Sequence, residues 1–161
     1  MKDKEELIIK IVLDAWYARV QQADKLFALL SDEQLQNEVA PSKNRGIYLL
    51  GHLTTVHDKM FPLLNFRESF FPSLYKPFAE NPDKAINDIP SLAELKSYWT
   101  TVNTELGKHF NNLQPNEWLE KHTAVSEEDF IKEPHRNRLN IVISRTNHLS
   151  YHLGQLMLLK K

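Results

Sequence analysis

RLNIVISRTNHLSYHLGQL, residues 138–156, decides how the rest of this chain is read. Leu139, Val142, Leu149, Leu153 and Leu156 recur at spacings of three, four and seven, the period of a helix that buries one face. The stretch predicts a helix from about Arg138 almost to the C-terminus. His148 and His152 lie four residues apart on it, so two imidazoles project from one face about one turn apart.

The same period recurs upstream in three more stretches. The first runs from about Lys4 to Leu30, with Leu7, Ile11, Trp16 or Ala15, Val20, Phe27 and Leu30 near a three-to-four spacing. The second starts after Ser42, carries Ile47, Leu50, Leu53, Thr54 and His57 on one side and Leu49, His52 and Val56 on an adjacent stripe, and meets its end at Pro62. The third begins at Ser91, is lined by Leu92, Leu95, Trp99, Val102 and Leu106, and fades near Asn111 and Asn112. Ser31 with Gln34 and Ser91 with Glu94 have the spacing of capping boxes, and the first of these predicts a brief helix before Pro41.

Between these helices lie two long connections. Residues 63–90 mix Phe66, Phe70, Phe71, Tyr75 and Phe78 with Pro72, Pro77, Pro82 and Pro90, a pattern that no single helix accommodates. Residues 114–137 contain Pro115, Trp118 and Pro134. The expectation is an all-α four-helix bundle with long crossovers, one domain over residues 1–161. Phe27, Leu30 and SDEQL also resemble Phe110, Leu113 and QPNEW, which hints at an internal duplication with the second and fourth helices facing each other.

Composition removes several functions. A formal net charge of −1 provides no basic field for nucleic acid or anionic lipid. Cysteine is absent, so thiolate metal sites and a cysteine nucleophile are excluded, leaving imidazole and oxygen donors. Charged residues interrupt the apolar positions of MKDKEELIIKIVLDAW, which therefore lacks the core of a secretory signal, and no run is long enough to span a bilayer. A cytoplasmic location is the default expectation.

Two histidines at helical spacing can share one metal ion, but they need a third donor from elsewhere in the fold. His52 in IYLLGHL is the candidate, because a polar ring in an apolar run needs a metal or a hydrogen-bond partner to offset its burial. A hydrogen-bonded core histidine is the competing reading. Leu149 follows His148 and Leu53 follows His52, so the glutamate of a zinc peptidase helix is missing. Around this set, Gln155 has the position to orient a ring or a water, against a plain surface glutamine. Tyr48 and Tyr151 fit either a pocket wall or the core. His57 has two readings, the pocket mouth or the surface, with the surface favoured, and Asp58 is expected in solvent. His109, His122 and His135 are expected in solvent too, His122 with the alternative that KHTAV folds over the bundle end, and Glu127, Glu128 and Asp129 read as a helix start or solvated loop.

LLGHL on the second helix and HLSYHLGQL on the last, with LSDEQL and a following proline before the second helix, resemble the DinB-like family of four-helix metalloproteins over nearly the whole chain. The resemblance implies a bundle with two long crossovers, often a homodimer, in which His52, His148 and His152 bind a divalent metal such as zinc or nickel. It further implies a small-molecule substrate: some relatives add a low-molecular-weight thiol to an electrophile, others are isomerases or hydrolases, and many have no established reaction. Three imidazoles leave at least one coordination position open, where the metal lowers the pKa of a water or thiol. The expected function is a metal-dependent thiol transferase or hydrolase acting on a small electrophile. A non-catalytic, metal-stabilised binding or stress-response module is the alternative.

Overall fold

Four long helices form the bundle, and short ones punctuate its connections. The computed structural model describes residues 2–160, with side chains from residue 4 onward. In chain order the helices are α1 (Lys2–Leu29), α2 (Asp32–Gln36), α3 (Gly46–Asp58), α4 (Met60–Leu63), α5 (Leu92–Asn112), α6 (Pro115–Trp118), α7 (Glu127–Lys132) and α8 (Arg138–Leu156). A 3-10 turn at Pro72–Leu74 and a π turn at Lys76–Glu80 shape the first long crossover, and a 3-10 turn at Met157–Leu159 ends the last helix. The described residues contain no strand, only isolated bridges of Glu38 with Arg45 and Lys121 with Asn137. None of the described helices is long and apolar enough to cross a membrane.

Local sequence explains where the helices start. Ser31 Oγ accepts from the Gln34 amide at 3.1 Å while Gln34 Oε1 accepts from the Ser31 amide at 2.9 Å, so the orphan donors at the head of α2 are satisfied. Ser91 and Glu94 make the same box at the head of α5. Asn137 caps α8 by accepting from the Asn140 amide at 3.0 Å. At the head of α3 the Arg45 side chain makes no cap; its guanidinium and amide both donate to Asp83 of the crossover, at 2.7 and 2.8 Å.

The buried stripe of α1 is Ile9, Trp16, Val20, Ala23, Phe27 and Leu30, so Trp16 faces inward and Ala15 does not. Leu7 and Ile11, expected inside, are 57% and 60% exposed. Each lies two residues from Ile9, and a step of two in a helix crosses to the opposite side. The end of α3 also comes early. Pro62 lacks an amide hydrogen and its ring crowds the carbonyl four residues back, that of Asp58. The helix breaks after Asp58, and Pro62 lies inside the separate turn α4.

α1 packs along α8, α3 along α5, and α3 also meets α8. Trp16, Leu50, Leu53, Trp99, Val102, Phe110, Leu149 and Leu153 fill the interior. Edge-on aromatic contacts join its ends, with Phe27 on Trp99 at 5.5 Å and Phe110 on Trp118 at 5.2 Å. The hinted duplication is visible in the backbone. Gln114 and Glu117 build a third capping box at the head of α6, matching Ser31 and Gln34 at α2. Each half then closes with a bridge to the cap of its last long helix, and the Gly46 amide donates to Asn37 as the Arg138 amide donates to Glu120. The first helix of each half packs on the last helix of the other, the exchange a twofold produces.

The aromatic crossover is pinned by a residue expected in solvent. Asp58 is buried, and its carboxylate oxygens accept the amides of Phe70 and Phe71 at 2.8 and 2.9 Å. Irregular backbone laid on a bundle has no helical partners for its amides, and this carboxylate supplies them. Phe71 then stacks on Tyr98 at 4.1 Å. His122 is likewise buried rather than exposed, because the segment around it folds over the bundle end, where its Nδ1 accepts from the Ala124 amide. His109 is half-buried against Phe66, His135 is exposed, and the acidic run 127–129 opens α7 behind the Ser126 cap. Replacing Asp58 with Ala strands two amides, and urea denaturation should show a loss of roughly 2–4 kcal/mol. A loss within the error of the measurement would mean that the carboxylate does not hold the crossover.

Candidate metal centre

His52 is positioned by its neighbour. A Cβ added at Gly51 would lie 2.4 Å from the Phe78 ring, so only glycine lets Phe78 lie flat against α3. That approach brings the Phe78 carbonyl within 2.7 Å of His52 Nδ1. A carbonyl only accepts, so Nδ1 carries the hydrogen and donates, leaving the lone pair on Nε2. Tyr48, one turn earlier, lies parallel to the His52 ring at 6.2 Å and donates its hydroxyl to the Asn81 carbonyl at 2.8 Å.

The facing helix α8 repeats the arrangement with a side chain. His152 Nδ1 donates to Gln155 Oε1 at 2.7 Å, and the Gln155 amide nitrogen lies 3.4 Å from Tyr151 Oη. The lone pair of His152 is thereby also on Nε2. Between the two rings stands His148, its Nε2 3.1 Å from His52 Nε2 and 3.1 Å from His152 Nε2. A single imidazole hydrogen at that atom can serve only one of its neighbours. His148 Nδ1, on the other side of the ring, is buried with no hydrogen-bond partner.

Three imidazole nitrogens thus converge, within 4.8 Å of one another, with more lone pairs than hydrogens between them. Such a set can hold a cation. Electrostatics favour the neutral rings a metal requires. Burial, and then the charges of His152, His52 and Arg145, bring the His148 pKa down to about 4. Burial also lowers the His152 pKa, against the opposing effect of its hydrogen bond to Gln155.

The remaining predicted neighbours fall into different places. Gln155 is half-buried and bound to His152 rather than a free surface side chain. Tyr48 is half-buried on the His52 ring. Tyr151 is 64% exposed and belongs to neither pocket nor core. His57 is neither on the surface nor at a pocket mouth: it is fully buried between Trp16 at 4.6 Å and Trp99 at 4.9 Å. The stripe it shares with Leu50, Leu53 and Thr54 carries it inward. Its Nδ1 donates to Asn103 Oδ1 at 2.8 Å, and Asn103 is held in turn by donating to the Trp99 carbonyl. Burial pushes the His57 pKa down to about 3. The Phe78 carbonyl and Asn103 were not among the residues expected from sequence. Gly51 beside His52 was the available signal for the first.

A family model described as the DinB superfamily matches residues 15–156, a span that includes both long crossovers and all three converging histidines. Among solved structures the chain is similar to a conserved protein from Enterococcus faecalis, with a TM-score of 0.62 over 92% of each chain at 15% identity. At that identity the likeness concerns the fold. None of the curated proteins matches the chain.

Gly51→Ala should push Phe78 off α3 and cost roughly 1–3 kcal/mol in chemical denaturation, since the clash is with a packed ring. An unchanged midpoint would mean the crossover yields freely there. In metal-free protein, His57 is neutral when folded and takes up a proton on unfolding below its ordinary pKa. Stability should therefore be complete above about pH 6.5 and fall as the pH drops toward 3. His57→Gln should remove about one proton from that slope, read from denaturation curves at several pH values. An undiminished slope would assign the dependence to other groups.

Proposed function

The chain belongs to the DinB superfamily, and we propose that His52, His148 and His152 hold a divalent ion, zinc or nickel, in a metalloenzyme that acts on a small electrophilic substrate. The approach of three Nε2 atoms at 3.1 Å, two with their lone pairs fixed inward, is the observation that supports this reading. Imidazole donors suit zinc and nickel. When bound, the ion supplies Lewis acidity at a position the three imidazoles leave open, where a water or a thiol becomes a stronger nucleophile.

The chain's own groups set up that position. The Phe78 carbonyl and Gln155 Oε1 hold two rings in one tautomer and one orientation, which raises their basicity as donors. Tyr48 lies parallel to the His52 ring at 6.2 Å, one turn earlier on α3. The reaction proposed is transfer of a low-molecular-weight thiol to the electrophile, or its hydrolysis by water, in a protein that works as a homodimer.

Untagged protein should carry stoichiometric zinc or nickel by elemental analysis, and His148→Ala should lose it. Gln155→Ala should keep the ion but bind it roughly 10–100-fold more weakly in a chelator competition. Wild-type protein that never retains a divalent ion would end the proposal. Tight metal without turnover of any thiol or ester would leave only a metal-stabilised binding module.

A further inference from the structure

A cleft of ≈ 390 Å³ opens between the end of α3, α4, α8 and the two long connections, lined among others by Thr55, Val56, Lys59, Tyr75, Ala79 and Arg145. Its walls continue the faces that carry the rings. Thr55 and Val56 follow His52 by three and four residues, and Arg145 precedes His148 by three, so each lies one turn along the same helix face. Ala79 directly follows Phe78, whose carbonyl holds His52.

Arg145 has no carboxylate acting on it, and Lys59 has only its chain neighbour Asp58. No aspartate or glutamate lines the cleft. Arg145 is half-buried, its Nε has no hydrogen-bond partner, and burial lowers its pKa with no anion to oppose the effect. Among the described residues neither Arg145 nor Lys59 forms an ion pair, whereas Arg45, Arg136 and Arg138 each meet a carboxylate. Asp58, next to Lys59 in the chain, has both carboxylate oxygens committed to the Phe70 and Phe71 amides. The Lys59 ammonium is steadied 4.2 Å from the centre of the Tyr75 ring, which leaves its charge in place. A half-buried guanidinium whose Nε has no partner carries a cost that an anionic ligand removes.

We propose that this cleft binds a small organic anion, its carboxylate or phosphate head on Arg145 and Lys59, and that the other end of the same molecule reaches the three histidines. The second half rests on the metal reading above; the first half does not. A planar guanidinium takes either head group through paired hydrogen bonds, and an ammonium adds a point charge. Arg145 is three residues from His148 and Lys59 seven from His52, so at about 1.5 Å per residue the head group lies roughly 5–10 Å along the helices from the rings. The substrate is therefore a short acid or phosphate ester that carries an electrophilic carbon, rather than a neutral lipophile.

The test is calorimetric titration of the full chain, as purified and after EDTA treatment, with 3-phenylpropionate, its neutral primary amide and phenyl phosphate. The acid should bind at least roughly tenfold more tightly than the amide, with or without metal, and added salt should weaken it. Arg145→Gln should abolish the preference. If that variant loses helical content, Lys59→Gln takes its place and should reduce the preference roughly threefold. Tighter binding of phenyl phosphate than of the acid also supports the site and identifies phosphate as the head group. Equal binding of acid and amide, or a preference that survives both substitutions, overturns the inference. An Arg145-dependent preference in a protein that holds no metal keeps the anion site and removes the metal reading. Bound metal without any preference removes the anion site alone.

Discussion

Two imidazole hydrogens that point away from each other organise this molecule's centre. His52 donates outward to a backbone carbonyl and His152 outward to an amide oxygen, so both rings present lone pairs toward His148. A single hydrogen at His148 Nε2 bridges at most one of the two contacts, and the other then sets lone pair against lone pair. Because both are held outward, the cluster has fewer hydrogens than its contacts need, and such a group could hold a cation.

The outward acceptor of His52 depends on packing far from any charge. Phe78 reaches α3 only because Gly51 has no side chain, and the crossover that delivers Phe78 is held down by the buried carboxylate of Asp58. An aromatic, proline-broken segment that looks like a mere connection therefore sets the tautomer of a candidate ligand. Its rigidity is tied to α3 from two directions, through a ring at Gly51 and through backbone amides at Asp58.

Much of this was readable before any coordinates. The long helices announced themselves because each must bury one stripe, and the period of that stripe survives in the order of residues. His148 and His152 were legible because neighbours on a single helix have a known separation, and His52 because a polar ring stood in an apolar run. What could not be read was decided by partners distant in the chain. Leu7 and Ile11 look like core residues until the phase of the stripe through Ile9 and Trp16 is known. His57 required Asn103 and the two tryptophans, which lie on other helices. Asp58 answers to amides with no side-chain signature at all, and so does the carbonyl that orients His52.

The duplication of the backbone is not matched by a duplication of its donors. Counted from the caps Arg45 and Asn137, the place of His52 falls on Ser144 in the other half, that of His148 on Val56, and that of His152 on Met60, beyond the break after Asp58. The twofold-related place thus holds no set of imidazoles, and its Val56 lines the cleft of Arg145 and Lys59 instead. A near-symmetric backbone therefore carries two chemically unlike ends along α3 and α8, imidazoles at one and cationic side chains at the other.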